Sequence, residues 1–170
     1  MKSHNGMRPQ DIAVLLKILV SNNEDWQYRD LGVDLYLSTS EISESLTRSF
    51  QGSLIDETKR NVFRQSLLEF IQHGLRHVFP VDPGAVVTGV ATGHSHPFFK
   101  SKFSGEHEFV WPDENGKSRG STIIPLYKNI PKAAAKDEGL YRVLAAVDMI
   151  RAGKPREVKV ALDTLRKIIL

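Results

Sequence analysis

The chain has 170 residues and a formal net charge of +3, and it contains no cysteine. Disulfide bonds and thiolate metal sites are therefore excluded, and the length allows one medium domain or two small ones. The longest apolar run, IAVLLKILV from Ile12, is too short to cross a bilayer and includes Lys17. With no recognisable signal peptide, the sequence predicts a cytoplasmic protein that does not enter membranes.

Charge is distributed unevenly along the chain. Residues 1–47 contain four Lys or Arg against seven Asp or Glu, whereas the remaining residues contain nineteen against thirteen. A basic surface on the second part can bind a polyanion, although net charge does not identify which one.

Two short helices are predicted near the N-terminal end. Pro9 suits the first turn of a helix, and the apolar residues after it recur on one face, which predicts a helix over residues 9–21. Leu31 and Leu35 lie four positions apart and predict a second helix over residues 28–36. Very few residues connect this second helix to the next one.

The stretch LSTSEISESLTRSF, residues 37–50, has a strong helix start. Ser38 and Glu41 have the spacing of a capping box, in which each side chain accepts a hydrogen bond from the other residue's backbone. Ile42 and Leu46, with Phe50, predict a narrow buried stripe. The helix is therefore predicted to expose a polar face comprising Thr39, Ser40, Ser43, Glu44, Thr47 and Arg48.

The short connection between the second and third helices predicts that they cross steeply. Such a crossing requires a small residue where the two backbones meet, and Gly32 is placed to supply it. Tyr36 occupies the turn position at which glycine is usual in a helix-turn-helix. The spacing of small residue, turn and buried aliphatic residue still indicates that motif.

A small basic hairpin is predicted directly after these helices. Leu54 and Ile55 form its first strand, and Lys59 and Arg60 lie near its tip. Three helices followed by such a hairpin resemble the MarR-like winged-helix family of bacterial regulators over residues 9–62. The resemblance implies that the third helix lies in the DNA major groove and that the hairpin reaches the neighbouring backbone.

This resemblance implies a set of DNA-binding residues. Hydroxyl groups can contact phosphates or base edges, and Arg48 can contact guanine or a phosphate. Glu41 and Glu44 oppose phosphate binding unless a carboxylate meets a cytosine amino group, so the hairpin cations and dimerisation must supply most of the electrostatic attraction. The implied DNA-binding residues are Ser38, Thr39, Ser40, Ser43, Glu44, Thr47, Arg48, Lys59, Arg60 and Arg64.

The rest of the chain predicts a mixed architecture. A helix over residues 64–73 ends at Gly74, which is a good C-terminal cap. Between residues 76 and 131 we predict strands in HEFVW and STIIPL, a turn in VDPGAVV and a loop in PDENGKSRG. Apolar faces at helical spacing predict two final helices, Asp137–Ala152 and Pro155–Leu170.

These elements predict an α+β fold in three segments. They are a winged helix-turn-helix with its linking helix over residues 9–74, a small β-rich segment over 75–136 and a helical segment over 137–170. The winged-helix resemblance further implies that helices outside the winged domain build a homodimer. Replacement of Leu165, on the apolar face of the last helix, by Asp is then predicted to lower the sedimentation mass.

Three other stretches extend the resemblance beyond the winged region. LLEFIQHGLRHVFP, the WPD at Trp111 and PLYKNIPKAA resemble a group of uncharacterised bacterial winged-helix proteins. That group implies a partner role beside an adjacent-encoded nucleotidyltransferase-like protein, in the manner of an antitoxin or autorepressor.

The histidines raise a metal hypothesis. His94 and His96 in HSH can place two rings together, and His107 lies between two glutamates. The spacing is nonspecific, so surface histidines flanking Pro97 are the preferred interpretation. There is also no phosphate-binding glycine loop. We therefore predict no catalytic residue, no cofactor and no metal.

The sequence thus predicts a DNA-binding transcriptional regulator, a dimeric repressor that binds double-stranded DNA through the helix over residues 38–50 and the basic hairpin. The alternative is a protein-interaction module, the antitoxin-like partner of a nucleotidyltransferase-like protein. Weaker DNA binding after replacement of Lys59 and Arg60 would favour the first function over the second.

Overall fold

The first three helices of the computed structural model lie within one residue of their predicted bounds. The structure describes residues 6–104 and 107–170. Helix α1 covers Pro9–Val20, α2 covers Tyr28–Leu35 and α3 covers Thr39–Gln51. Local signals in the sequence therefore predict these elements well.

The capping box at the start of α3 is confirmed. The backbone N–H of Glu41 donates to Ser38 Oγ at 3.1 Å, and the backbone N–H of Ser38 donates to Glu41 Oε2 at 2.7 Å. Two of the N–H groups at this helix end are thereby satisfied within the chain.

The turn between α2 and α3 is tight, as predicted. Gly32 is buried, and a Cβ atom built on it would lie 2.6 Å from the carbonyl oxygen of Leu37. Tyr36, at the turn position, has φ +56° and ψ +42°, which is the left-handed region. Tyrosine therefore adopts the conformation for which glycine is usual, at a cost of about 1 kcal/mol.

We expect Gly32→Ala to destabilise the protein by about 1–3 kcal/mol, because the backbone at Leu37 must move to admit the methyl group. The matched control is Gly139→Ala, since a Cβ on this exposed helical glycine would lie 3.4 Å from Asp137 Oδ1, an ordinary contact. That control should be neutral or stabilising by up to about 1 kcal/mol. Thermal unfolding followed by circular dichroism measures both, and equal melting temperatures would contradict a close approach at Gly32.

The predicted two-stranded hairpin is reduced to one bridge. Ile55 and Val62 pair in antiparallel fashion as an isolated bridge. Between them, the Asp56 carboxylate accepts hydrogen bonds from the Asn61 side chain at 2.7 Å and from the backbone N–H groups of Arg60 at 3.0 Å and Asn61 at 3.1 Å. The bonds from Asn61 above all hold the pKa of Asp56 well below its usual range. We call this segment the 55–62 loop.

Helices α4 and α5 connect the loop to a small sheet. Helix α4 covers Arg64–His73, as predicted, and α5 covers Leu75–Val78. Strands β1, β2 and β3 cover Val86–Thr92, Phe109–Pro112 and Ser118–Thr122. Strand β1 pairs antiparallel with both others, while β2 and β3 pair in parallel, so each strand contacts the other two.

The sheet agrees only partly with the strand predictions. Strand β2 confirms HEFVW, but β1 is not predicted, and β3 begins inside the predicted loop and ends before Ile123. Gly89 explains the missed strand. A Cβ on Gly89 would lie 2.0 Å from the carbonyl oxygen of Trp111, so the pairing of β1 with β2 requires glycine there. In the sequence, glycine counts against a strand.

Further helices complete the chain. A 3-10 turn at Gly93–Ser95 and helix α6 at Pro97–Lys100 follow β1. Helix α7 covers Ile130–Ala135, α8 covers Glu138–Ala152 and α9 covers Pro155–Ile169. The two C-terminal helices are confirmed, whereas α6 and α7 are additions to the prediction. In the part of the chain that the structure describes, no helix is long and apolar enough to cross a membrane.

Helix α8 lies at the centre of the core. Every residue from Val143 to Arg151 is buried. One hydrophobic cluster includes Leu16, Trp111 and Leu144, which belong to the three different predicted segments. Leu165 is fully buried in the same cluster, so it cannot report on a dimer surface, and substituting it would disturb the core instead.

Candidate nucleic-acid interface

The outer face of α3 presents the predicted hydroxyl groups. Ser38 is also exposed, although its Oγ already accepts the capping hydrogen bond from Glu41. The predicted surface position of the remaining hydroxyl residues and of one glutamate is confirmed, while their contact with DNA stays a prediction. The exposed or half-buried side chains on this face are Thr39, Ser40, Ser43, Glu44 and Thr47.

Arg48 does not belong to this face, and its predicted exposure is wrong. Its exposed fraction is 7 %, and its guanidinium binds the carboxylate of Asp11 through Nε at 2.9 Å and Nη2 at 2.8 Å. Asp11 is fully buried in α1. The hydrogen bonds to Asp11 raise the pKa of Arg48 still further above neutrality. The only arginine of α3 therefore ties this helix to α1.

Two serines on the buried face of α3 make the orientation of this helix difficult to predict from its apolar residues. The buried residues are Ile42, Ser45, Leu46 and Ser49 together with Arg48, whereas Phe50 is exposed. Buried positions at i, i+3, i+4 and i+7 define one helical face. Ile42 and Leu46 are therefore buried as predicted, but the other two positions are serine, so the apolar pattern wrongly continues to Phe50 and leaves Arg48 outside.

Lys59 connects the 55–62 loop to the α3 face. Its Nζ donates to Thr47 Oγ1 at 3.0 Å, and the Thr47 hydroxyl in turn donates to the carbonyl of Ser43 at 3.0 Å. The loop and the outer side of α3 therefore form one continuous surface, with an ammonium group at the junction.

Arg60 and Arg64 are engaged elsewhere. The Arg60 guanidinium lies over the Trp26 ring, 4.2 Å from its centroid, and donates to the Trp26 carbonyl. Arg64 donates to the carbonyl of Ile169 at 2.7 Å. Both side chains retain further N–H donors, but these partners hold them toward the body of the protein.

The α3 surface is consequently poor in free positive charge. Glu41 and Glu44 are exposed there, and the nearest arginine group, that of Arg48, lies 3.9 Å from Glu44 at the buried edge. A phosphate approaching the outer face of α3 meets the carboxylates of Glu41 and Glu44, with the Lys59 ammonium at the junction with the 55–62 loop. Binding to a polyanion by this surface alone would therefore be weak.

A segment from the second half of the chain lies against the α2–α3 turn. The Tyr127 hydroxyl donates to the Leu35 carbonyl at 2.9 Å, and Asn129 Nδ2 donates to the Tyr36 carbonyl at 3.0 Å. Burial raises the pKa of Tyr127 above its usual value, so the hydroxyl keeps its proton and remains a donor. These two bonds fix the start of α7 beside the turn that leads into α3.

Three lysines on this segment are cations that the sequence analysis does not assign to the site. Lys128, Lys132 and Lys136, here called the α7 lysine row, are all exposed. The ammonium groups of Lys132 and Lys136 lie 5.8 Å and 4.3 Å from the centroid of the Tyr36 ring. Their spacing of four is visible in PLYKNIPKAAAK, but the contact with Tyr36 depends on folding.

The predicted surface histidines are buried. His96 is fully buried, its Nδ1 accepts a hydrogen bond from the Phe98 N–H at 3.0 Å, and burial lowers its pKa to about 4. His94 is also buried, with Nδ1 2.9 Å from Glu157 Oε1 but without hydrogen-bond geometry. Within residues 6–104 and 107–170, no group of three or more His, Asp or Glu side chains could hold a metal ion.

Comparison of the chain with protein-family models, with curated proteins and with solved structures finds no match.

Proposed function

We propose that this protein is a DNA-binding transcriptional regulator that acts as a dimeric repressor. In this proposal, helices α1 to α3 and the 55–62 loop work as a winged helix-turn-helix. Helix α3 lies in the major groove, and the loop contacts the backbone beside it. Repression follows from occupation of an operator.

The observation that carries the proposal is the contact between Lys59 and Thr47. The ammonium group lies 3.0 Å from the Thr47 hydroxyl, so the loop and α3 present a single surface. A helix fits the width of the major groove, and a cation at its side can meet the phosphates at the groove edge. This is the arrangement that a recognition helix and a wing require.

The chemistry of the α3 face suits mixed contacts with bases and phosphates. Thr39, Ser40 and Ser43 offer hydroxyl groups that donate or accept, and they can therefore bind phosphates or either base edge. Glu44 can accept from the amino group of cytosine, which would favour one base over others. The serine and threonine contacts position the helix, while the carboxylate adds selectivity.

Two copies are required for useful affinity in this proposal. One α3 surface with a single adjacent lysine makes few phosphate contacts, and a dimer doubles them. The two copies of α3 would bind half-sites separated by one turn of DNA, about 34 Å. In this proposal the dimer contact lies on a surface other than the inner face of α9, because Leu165 is buried in the core.

A protein-interaction role is the second candidate. The exposed carboxylates of Glu41 and Glu44, together with the internal pairing of Arg48, favour a partner that is not a polyanion. In that case the outer face of α3 would dock a protein, such as an adjacent-encoded nucleotidyltransferase-like protein that it inhibits or positions as an antitoxin does.

The test is binding of the purified protein to a pool of genomic duplex fragments, including the DNA upstream of its own gene, over a range of salt concentrations. We expect enrichment of one fragment, with affinity that falls steeply as salt rises. In the variant Ser40→Ala/Ser43→Ala, the ratio of the affinity for that fragment to the affinity for the pool should be about ten-fold lower.

The matched control is Ser66→Ala/Ser104→Ala, which removes two exposed hydroxyls on α4 and after α6. Its fragment preference should equal that of the unaltered protein. If the unaltered protein retains no fragment even at the lowest salt concentration, DNA binding is wrong and the protein-interaction role takes its place.

A further inference from the structure

The α7 lysine row adds positive charge beside α3, whose own outer face has little. We infer that Lys128, Lys132 and Lys136 bind phosphates of duplex DNA beside the N-terminal end of α3, and that Tyr36 positions two of their ammonium groups. This inference rests on the proposed function and adds to it a backbone-binding surface from a part of the chain outside the winged helix-turn-helix.

The position of the row is set by hydrogen bonds to the recognition elements themselves. Tyr127 and Asn129 donate to the carbonyls of Leu35 and Tyr36, which end α2 and form the turn before α3. A short segment anchored at two successive carbonyls cannot shift independently of the turn. The lysines therefore stay beside the end of α3 at which the exposed Thr39 and Ser40 lie.

The three ammonium groups are available to a ligand. Lys128, Lys132 and Lys136 are exposed, and no carboxylate in residues 6–104 and 107–170 lies within 4.0 Å of their nitrogen atoms. By contrast, Lys17 pairs with Asp137 and Lys100 with Glu108. An ammonium group without a carboxylate partner can pair with a phosphate, and it then displaces a counterion that was condensed on the polyanion.

Tyr36 gives the row a defined geometry. Its exposed fraction is 38 %, and its ring faces the ammonium groups of Lys132 and Lys136. Such a ring attracts cations through its quadrupole and reduces the freedom of otherwise mobile lysine side chains. Glycine would fit the left-handed backbone at this position better, so a tyrosine there is explained by what its side chain contacts.

Phosphate is the ligand chemistry that this row suits. Lysine binds phosphate as a point charge and with little directional preference, so a row of lysines positions a backbone without reading sequence. Loss of the row should therefore weaken binding to all duplexes by a similar factor, whereas loss of the α3 hydroxyls should alter the choice between duplexes.

The test compares Lys128→Gln/Lys132→Gln/Lys136→Gln with the control Lys117→Gln/Lys159→Gln/Lys167→Gln. Both triple variants lower the formal net charge from +3 to 0, and all six lysines are exposed. The probes are the duplex fragment enriched from the genomic pool and a short duplex of scrambled sequence. Affinity for each is measured over a range of salt concentrations.

We expect the α7 variant to lose at least about ten-fold in affinity for both probes and to reduce the magnitude of the salt slope by ~2–3 for each protomer, or ~5 for the dimer, with the ratio between the probes unchanged. The control should keep nearly the full slope. Equal slopes in the two triple variants would overturn the inference while the proposed function stands. Failure of the unaltered protein to bind either probe would overturn both.

Tyr36→Gly tests the positioning role separately. Because glycine relieves the left-handed backbone, the variant should fold at least as stably as the unaltered protein. Its affinity should nevertheless fall several-fold for both probes, since Lys132 and Lys136 lose the ring that orders them. Unchanged affinity with intact folding would show that Tyr36 does not position the lysines.

Discussion

Replacement of Asp148 by alanine is expected to lower the free energy of unfolding by about 3–5 kcal/mol, because it leaves the Arg151 guanidinium charged and unpaired inside the core. Asp148 is only 1 % exposed. Its Oδ2 accepts hydrogen bonds from Thr92 Oγ1 and Trp111 Nε1, each at 2.7 Å, and its Oδ1 accepts from Arg151 Nη1 at 3.0 Å. One carboxylate thus joins α8 to β1 and β2.

Urea unfolding at neutral pH measures this effect. The matched control is Asp163→Ala, which removes an exposed aspartate on α9 that lies 3.5 Å from Arg166. That variant should change the free energy of unfolding by less than about 1 kcal/mol, as exposed ion pairs contribute little. If both alanine variants unfold at the same urea concentration, the hydrogen bonds of Asp148 do not hold the sheet on α8.

Arg151 continues this hydrogen-bond network to two connecting segments. Its Nε donates to the Phe79 carbonyl at 3.0 Å and its Nη1 donates to the Ile124 carbonyl at 3.1 Å. The chain before β1 and the chain after β3 are therefore attached to α8. These bonds and the hydrophobic cluster together hold the β-rich segment against the C-terminal helices.

Elements with local signals were predictable, because their causes lie within a few residues. Pro9 starts α1, and the reciprocal bonds of Ser38 and Glu41 start α3. Strand β1 has no such signal. The glycine at position 89 permits close pairing with Trp111, which lies in another strand and cannot be inferred from neighbouring residues.

The candidate site also contains some features that local sequence predicts and others that depend on distant residues. The hydroxyl face of α3 follows from its own sequence, whereas the state of each cation depends on a distant partner. Arg60 contacts Trp26, Arg64 contacts Ile169, and the α7 lysine row meets Tyr36 across about half the chain. Single-sequence patterns locate a charged residue on an element, but they do not show which charges are already paired.

Arg48 is the residue for which sequence and structure give opposite expectations. In the structure, Arg48→Ala leaves the fully buried Asp11 carboxylate without its charged partner, and we expect a loss of about 3–5 kcal/mol in the free energy of unfolding. Arg48→Lys keeps the charge but not both hydrogen bonds, so its loss should be smaller. Arg29→Ala is the control, since this exposed arginine lies on α2.

A double-mutant cycle isolates the ion pair itself. Asp11→Asn keeps an oxygen that can accept the Arg8 N–H, now bonded to Asp11 Oδ2 at 2.8 Å, while it removes the charge. If Arg48 acts through Asp11, the double variant Asp11→Asn/Arg48→Met should be less destabilised than the sum of the two single variants, by about 1–3 kcal/mol. Additive losses would mean that the two side chains do not depend on each other.

DNA binding distinguishes the two expectations for Arg48 most directly. The variant Arg48→Lys should remain folded, and its preference for the enriched fragment over the pool should equal that of the unaltered protein, because Arg48 faces Asp11 and makes no base contact. A base contact by Arg48 would instead relax the choice of fragment in this variant, since lysine cannot reproduce a bidentate bond to guanine. Such a change at unaltered stability would return Arg48 to the recognition surface and require α3 to rotate outward on binding.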